Sequence, residues 1–132
     1  MKITADANIL IRALAEDDDI QTPIAKKVLA NADLVALTLP ALCEFVWVML
    51  KGYKESHDRI AAAIRALIAA ENMEADLASV EAGLTFLDAG GDFADGVIAH
   101  QGQWLGAEAF VSFDKTAVKL LTAAGHKAIV PK

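Results

Sequence analysis

The chain has 132 residues, 55% hydrophobic and 23% charged, with 18 acidic against 12 basic side chains and a formal net charge of -6. That length suits one compact domain over residues 1–132, and the composition excludes a disordered or low-complexity chain. No apolar run approaches the roughly 18 residues of a membrane helix, and the single Cys43 excludes both an internal disulfide and a cysteine-rich zinc site. The opening residues carry no long apolar stretch of the secretory kind, so a cytoplasmic address is expected. At face value the acidic balance counts against nucleic-acid binding, because affinity for phosphate comes from clustered Lys and Arg. Four of the acids, however, form one run at residues 16–19, so the mean charge describes no single face.

In chain order, residues 2–5 alternate weakly and enter a turn at Asp6, after which Ile9, Leu10, Ala13 and Leu14 recur at helical spacing. Thr22-Pro23 offers a capping hydroxyl followed by proline at the first helical position, predicting a helix to about Ala32. Residues 34–38 predict a short buried strand. Pro40 begins a helix to about Lys51, and Ser56 caps another in which Ile60, Ala63, Ile64, Leu67 and Ile68 keep the helical period, the two forming a hairpin. An extended piece at residues 73–76 precedes helices over residues 79–87 and 92–104, parted by Gly90-Gly91. Residues 109–113 predict the next core strand. A helix over residues 116–124, stopped by Gly125, leads to a last strand at residues 128–130. This alternation predicts an α/β fold with a parallel, doubly wound sheet and right-handed crossovers.

In such a sheet ligands gather beyond the carboxyl ends of the strands, where Asp6 and Asp114 both fall. Either alone reads equally well as a turn or cap residue; their joint placement favours a site. Glu44 interrupts a helix that is apolar on nearly every side, where an ionised side chain needs a partner. Metal ligation answers that need, and a narrow solvent-facing strip or a salt bridge is the plain alternative. Asp92 and Asp95 stand one turn apart; Asp92 suits the N-cap better than a ligand, while Asp95 shares its side with Ile98 and Ala99 and is expected to point inward. Four converging carboxylates repel one another unless a cation joins them, and Mg2+ or Mn2+ with carboxylate and water oxygens is the expected answer. A hydrated hard ion among carboxylates suits phosphodiester hydrolysis.

These residues carry a family likeness. Residues 3–12, ITADANILIR, resemble the opening of VapC-like PIN domains, where strand one delivers the first metal-binding aspartate. LPALCE at residues 39–44 resembles the segment with the family's glutamate, DFADGVIA at residues 92–99 its third acidic motif, and FVSFDK at residues 110–115 its fourth. The resemblance implies a PIN-like three-layer fold with a central, mostly parallel sheet of four or five strands flanked by helices. It further implies a Mg2+- or Mn2+-dependent endoribonuclease, the toxin of a type II toxin-antitoxin pair, frequently homodimeric and inhibited by a cognate antitoxin. Asp6, Glu44, Asp95 and Asp114 carry over as the catalytic and metal-binding set, with Asp92 accessory and Asn8 and Ser112 as supporting hydrogen-bond groups. Two positions depart from the pattern: Ala7 lacks a hydroxyl often found there, and Gly96 stands where Ala is common, at an expected cost of about 1 kcal/mol of helix stability.

Arg12 and Lys115 lie nearest the acidic motifs and are the favoured contacts to an RNA backbone, ahead of Lys51, Lys54, Arg59 and Lys119. Trp47, Trp104 and the phenylalanines could stack on bases, but most fall in apolar helical patterns and read as core. Residues 16–19 read as a solvated loop. A competing function is a non-catalytic PIN-like or receiver-like module that binds metal and acts through a protein partner. A phosphatase using Asp6 as nucleophile fits less well, because position 8 is Asn where an Asp-x-Asp motif needs Asp.

Overall fold

A computed structural model describes all 132 residues. In order the elements are β1 (Lys2–Thr4), α1 (Ala7–Ala15), α2 (Gln21–Asn31), β2 (Leu34–Ala36), α3 (Leu39–Lys51), α4 (His57–Ala69) and β3 (Met73–Glu74). There follow α5 (Leu77–Asp88), α6 (Phe93–Trp104), β4 (Phe110–Val111), α7 (Lys115–Ala123) and β5 (Ala128–Ile129). The chain divides into two compact units, Met1–Leu77 and Ala78–Lys132.

In the first unit β1, β2 and β3 form a parallel sheet in that order, with Ile3 opposite Val35 and Val35 opposite Met73. Parallel neighbours need crossover connections, and the helix pairs α1–α2 and α3–α4 supply them. Thr38 caps α3 by accepting from the Ala41 N–H, and Ser56 caps α4 by accepting from the Arg59 N–H at 3.2 Å. α1 packs on both α2 and α3, burying Leu10, Ile11 and Ala13 on α1 and Leu42, Phe45 and Val46 on α3. The Asn72 amide donates to the Leu29 and Ala32 carbonyls, satisfying the end of α2.

The start of α2 corrects the sequence reading. Thr22 lies inside the helix, buried, its hydroxyl donating to the Arg12 carbonyl at 2.7 Å. Asp18 supplies the cap, accepting from the Ile20 and Gln21 N–H groups, and these bonds hold its carboxyl below the usual range. Residues 16–19 are accordingly a pinned turn. Glu16 adopts a left-handed conformation and pairs with Lys26, while Asp17 accepts from the Tyr53 hydroxyl at 2.8 Å and lies 3.6 Å from the Arg12 guanidinium. A nearby donor for each of Glu16, Asp17 and Asp18 outweighs solvation.

In the second unit β4 and β5 pair in parallel, Phe110 opposite Ala128 and Val111 opposite Ile129, with α7 as crossover. Phe110 and Ala128 pack on Phe86, Ala99, Ala117 and Leu121. The five strands are thus a three-stranded and a two-stranded sheet, every pair parallel, where one sheet of four or five strands was expected. Ile98, expected in the core, is 56% exposed, because α6 turns Phe93, Gly96, Val97 and Ala99 inward instead.

Glycine governs how α6 meets α5. A Cβ at Gly96 would stand 2.4 Å from the Ala82 carbonyl oxygen, and one at Gly83 would stand 2.6 Å from the Phe93 ring. The helices approach backbone to backbone at Gly96, and the Phe93 ring lies against Gly83, so the smallest residue is required sterically at both and the helix-propensity cost is the lesser consideration. Gly96→Ala should therefore lower stability, since overpacking of about 1–3 kcal/mol exceeds the roughly 1 kcal/mol gained in propensity. Urea unfolding checks this: an unchanged or higher midpoint would show that the helices part freely.

Candidate functional site

Three of the acidic residues singled out by sequence begin helices. Asp6 follows β1 in extended conformation and caps α1, one carboxylate oxygen accepting from the Ala7 N–H at 2.8 Å. Asp92 caps α6 by accepting from the Ala94 N–H at 3.1 Å. Asp114 caps α7, its Oδ1 accepting from the Thr116 and Ala117 N–H groups at 3.0 and 3.1 Å. Each is exposed, and each spends Oδ1 on its cap, which leaves Oδ2 for a ligand. The capping and ligand readings are therefore compatible: helix N-terminal amides fix a carboxylate's position and favour its charge.

Asp95 differs from these. It sits one turn into α6, partly buried, and its carboxyl is pushed up to about 6. Burial is the largest cause, followed by the negative charges of Asp92 and Asp114. The second unit therefore brings Asp92, Asp95 and Asp114 within electrostatic reach of one another. Ser112 steadies the last of these, its hydroxyl accepting from the Asp114 N–H at 3.0 Å, and Lys115 stands exposed as the first residue of α7.

In the first unit Asp6 leads into α1, against which α3 packs, and Glu44 lies on α3. Glu44 is exposed, on a stripe shared with Pro40, Trp47 and Lys51, while Leu42, Phe45, Val46 and Met49 occupy the buried side. Its charge needs no partner, because one strip of this apolar helix faces solvent, the plainer of the two expectations. Asn8 and Arg12 line a cavity of about 510 Å3 with Ile9, Gln21, Ile24 and Ala25. The Arg12 guanidinium is engaged, donating to Gln21 at 2.7 Å and to the Tyr53 hydroxyl at 3.3 Å.

In neither unit do three His, Cys, Asp or Glu side chains gather tightly enough to cage a metal ion. The acidic set nonetheless suits a hard cation: its donors are carboxylate oxygens, and burial together with the charges of Asp92 and Asp114 makes ionised Asp95 costly without one. Sequence reasoning missed the exposed aromatics. Trp47 is 62% exposed and Trp104 and Phe113 are both 80% exposed, where the apolar pattern predicts core. For Trp47 a signal existed, its position three residues after Glu44 and four before Lys51, between two charged residues of one helix face.

The profile described as PIN domain matches residues 3–120, a span that takes in every acidic residue of the set. No curated protein matches the chain.

Asp95 makes stability depend on pH. The folded protein holds this proton more tightly than the unfolded chain, whose carboxyl titrates near 3.8, so folding takes up a proton between the two values. The favourable contribution is complete below about 3.8 and is lost as pH rises through about 6. Asp95→Asn mimics the neutral form, so in chelator its melting temperature should match wild type at pH 4 and exceed it at pH 7. A difference that stays constant across that range would show that Asp95 is not strained by its charge.

Proposed function

The chain belongs to the PIN domain family, a superfamily of nucleases, and from that membership we propose that it is a metal-dependent endoribonuclease, the toxin of a type II toxin-antitoxin pair. The observation that carries the reading is Asp95, a carboxyl that burial and two neighbouring aspartates make costly to ionise. A cation relieves that cost. Asp6, Glu44, Asp95 and Asp114 are the residues that would hold Mg2+ or Mn2+, with Asp92 accessory. When bound, the ion supplies an activated water and screens the charge of the phosphodiester.

The chain's own residues do the positioning. The Ala7 amide holds Asp6, the Thr116 and Ala117 amides hold Asp114, and Ser112 braces the turn before Asp114. Asn8 offers an exposed amide two residues after Asp6. Lys115 is the favoured phosphate contact, since it is exposed beside Asp114, whereas Arg12 would have to release Gln21 and Asp17 to serve. For the cognate antitoxin, Ile20 just before α2 and Ile24 and Val28 on it form an exposed apolar strip at four-residue spacing, beside the cavity lined by Ile9 and Ile24. Such a strip suits an amphipathic helix of the partner. A homodimer and a cytoplasmic address complete the reading; no helix is long and apolar enough to cross a membrane.

Asp6→Asn and Asp95→Asn should each reduce Mg2+- or Mn2+-dependent cleavage of single-stranded RNA by roughly 10²-fold or more, the scale on which a catalytic group counts. Gel assays on total RNA, with and without chelator, measure this. Undiminished cleavage in both variants would reject the assignment. Stabilisation of the wild type by Mg2+ with no RNA cleaved would instead favour a metal-binding regulatory module.

A further inference from the structure

At about 100° per residue, Pro40, Cys43, Glu44, Trp47, Leu50 and Lys51 share one stripe of α3, roughly 120° wide. Trp47, in the middle, is 62% exposed; Pro40, Glu44 and Lys51 are exposed, and Cys43 and Leu50 are half-buried. Seen from Trp47, Cys43 and Leu50 lie to one side, at about 40° and 60°, and Glu44 and Lys51 to the other, at about 60° and 40°. The stripe thus has an apolar flank, a charged flank and an indole between them. Neither Glu44 nor Lys51 forms an ion pair within the chain.

This stripe is complementary to itself. Along the axis, at about 1.5 Å per residue, Glu44 stands about 4.5 Å before Trp47 and Lys51 about 6 Å after it, while Cys43 stands about 6 Å before and Leu50 about 4.5 Å after. A twofold axis at Trp47 that sets two α3 helices antiparallel keeps each flank on its own side. It brings Glu44 level with the partner's Lys51 to within about 1.5 Å along the helix, and Cys43 level with the partner's Leu50 equally closely. The two indoles meet at the axis. A parallel setting would instead oppose Glu44 to Glu44 and Lys51 to Lys51, so charge selects the antiparallel one. A closed twofold interface requires such a match of a surface with its own copy, and no other occupant requires it. The stripe is neutral in itself, one carboxylate and one ammonium group, so pairing does not concentrate the net charge of -6 at the contact.

We propose that two copies of this chain associate through α3, antiparallel about Trp47, with Glu44 of each copy paired with the partner's Lys51. The pairing rests on the homodimer of the proposed reading and gives it a surface and a register; it does not need the nuclease. Trp47 is its central anchor, an aromatic face that association removes from water. The partner's Lys51 also stands beside a residue of the acidic set, so each copy gains a cation there that its own chain does not supply.

The test is sedimentation equilibrium over a range of protein concentrations, in chelator so that no metal bridges the copies. Wild type should approach twice the 14.0 kDa of one chain. Trp47→Ala should weaken the dimer about tenfold or more. Glu44→Lys and Lys51→Glu should each weaken it about tenfold, because each sets like charges against one another twice in the twofold contact. The double swap, Glu44→Lys with Lys51→Glu, restores opposite charges across the axis and should recover the association to within about threefold of wild type. Loss of fold would not be reversed in this way. A wild type that stays monomeric at every concentration overturns the pairing, as does a dimer that the single variants leave unchanged, or a double swap that associates no better than the single swaps. The two readings fail separately. A monomer that cleaves RNA defeats the pairing alone; a dimer with the expected charge rescue that cleaves nothing with Mg2+ or Mn2+ defeats the nuclease alone.

Discussion

Negative charges held near one another in a partly dry place cannot all remain ionised without cost, and the second unit is organised around that constraint. Asp95 feels it most, being partly buried and within reach of the charges on Asp92 and Asp114. Its position follows from the packing beneath it. α6 approaches α5 so closely at Gly96 that no side chain fits there, and the Phe93 ring is fully buried against Gly83. Asp92 and Asp95 flank Phe93 on the first turn of α6, so the tight helix contact and the crowded charge are one arrangement. Loosening the contact would let Asp95 drift toward water and lose the property that suits it to a cation.

Helix ends fix the other carboxylates. A helix presents orphan N–H groups at its start, and Asp6, Asp92 and Asp114 satisfy them at three different helices. Such a cap uses one carboxylate oxygen and fixes the direction of the other, so a residue can stabilise its helix and still serve a ligand. Capping and ligand binding are therefore not rival roles at these positions. Glu44 has no such anchor. It stands in mid-helix on a solvent-facing strip, freer to move than the capping aspartates.

Much of the fold was legible in the sequence because its signals are local. Ser56 before the Ile60, Ile64 and Leu67 period, and Pro40 at the start of an apolar run, each mark a helix whose bonds form within a few residues. What escaped depended on contacts between distant residues or on a choice between equivalent caps. Asp18 outcompeted Thr22 because Arg12, ten residues earlier, offered the threonine hydroxyl a carbonyl. Gly96 looked like a defect until the Ala82 carbonyl was found where its Cβ would be. Hydrophobic pattern also cannot tell a buried aromatic from an exposed one when both lie in an apolar segment, and Phe110 and Phe113 sit three residues apart with opposite fates. Of the site, the positions of Asp6 and Asp114 at strand ends were readable; the inward lean of Asp95 was readable too, though Ile98, used to argue it, faces out.

The net charge of -6 takes on a different meaning once the partners of each acid are known. Glu16 pairs with Lys26, Asp17 meets Arg12 and Tyr53, and Asp18 is spent on the α2 cap, so much of the acidic run is answered locally and projects little field. Asp6, Asp92 and Asp114 are met by helix amides through one oxygen each, and for the other oxygen a cation is a natural partner. An acidic protein that handles a polyanion has little attraction to offer at long range and must grip at short range instead.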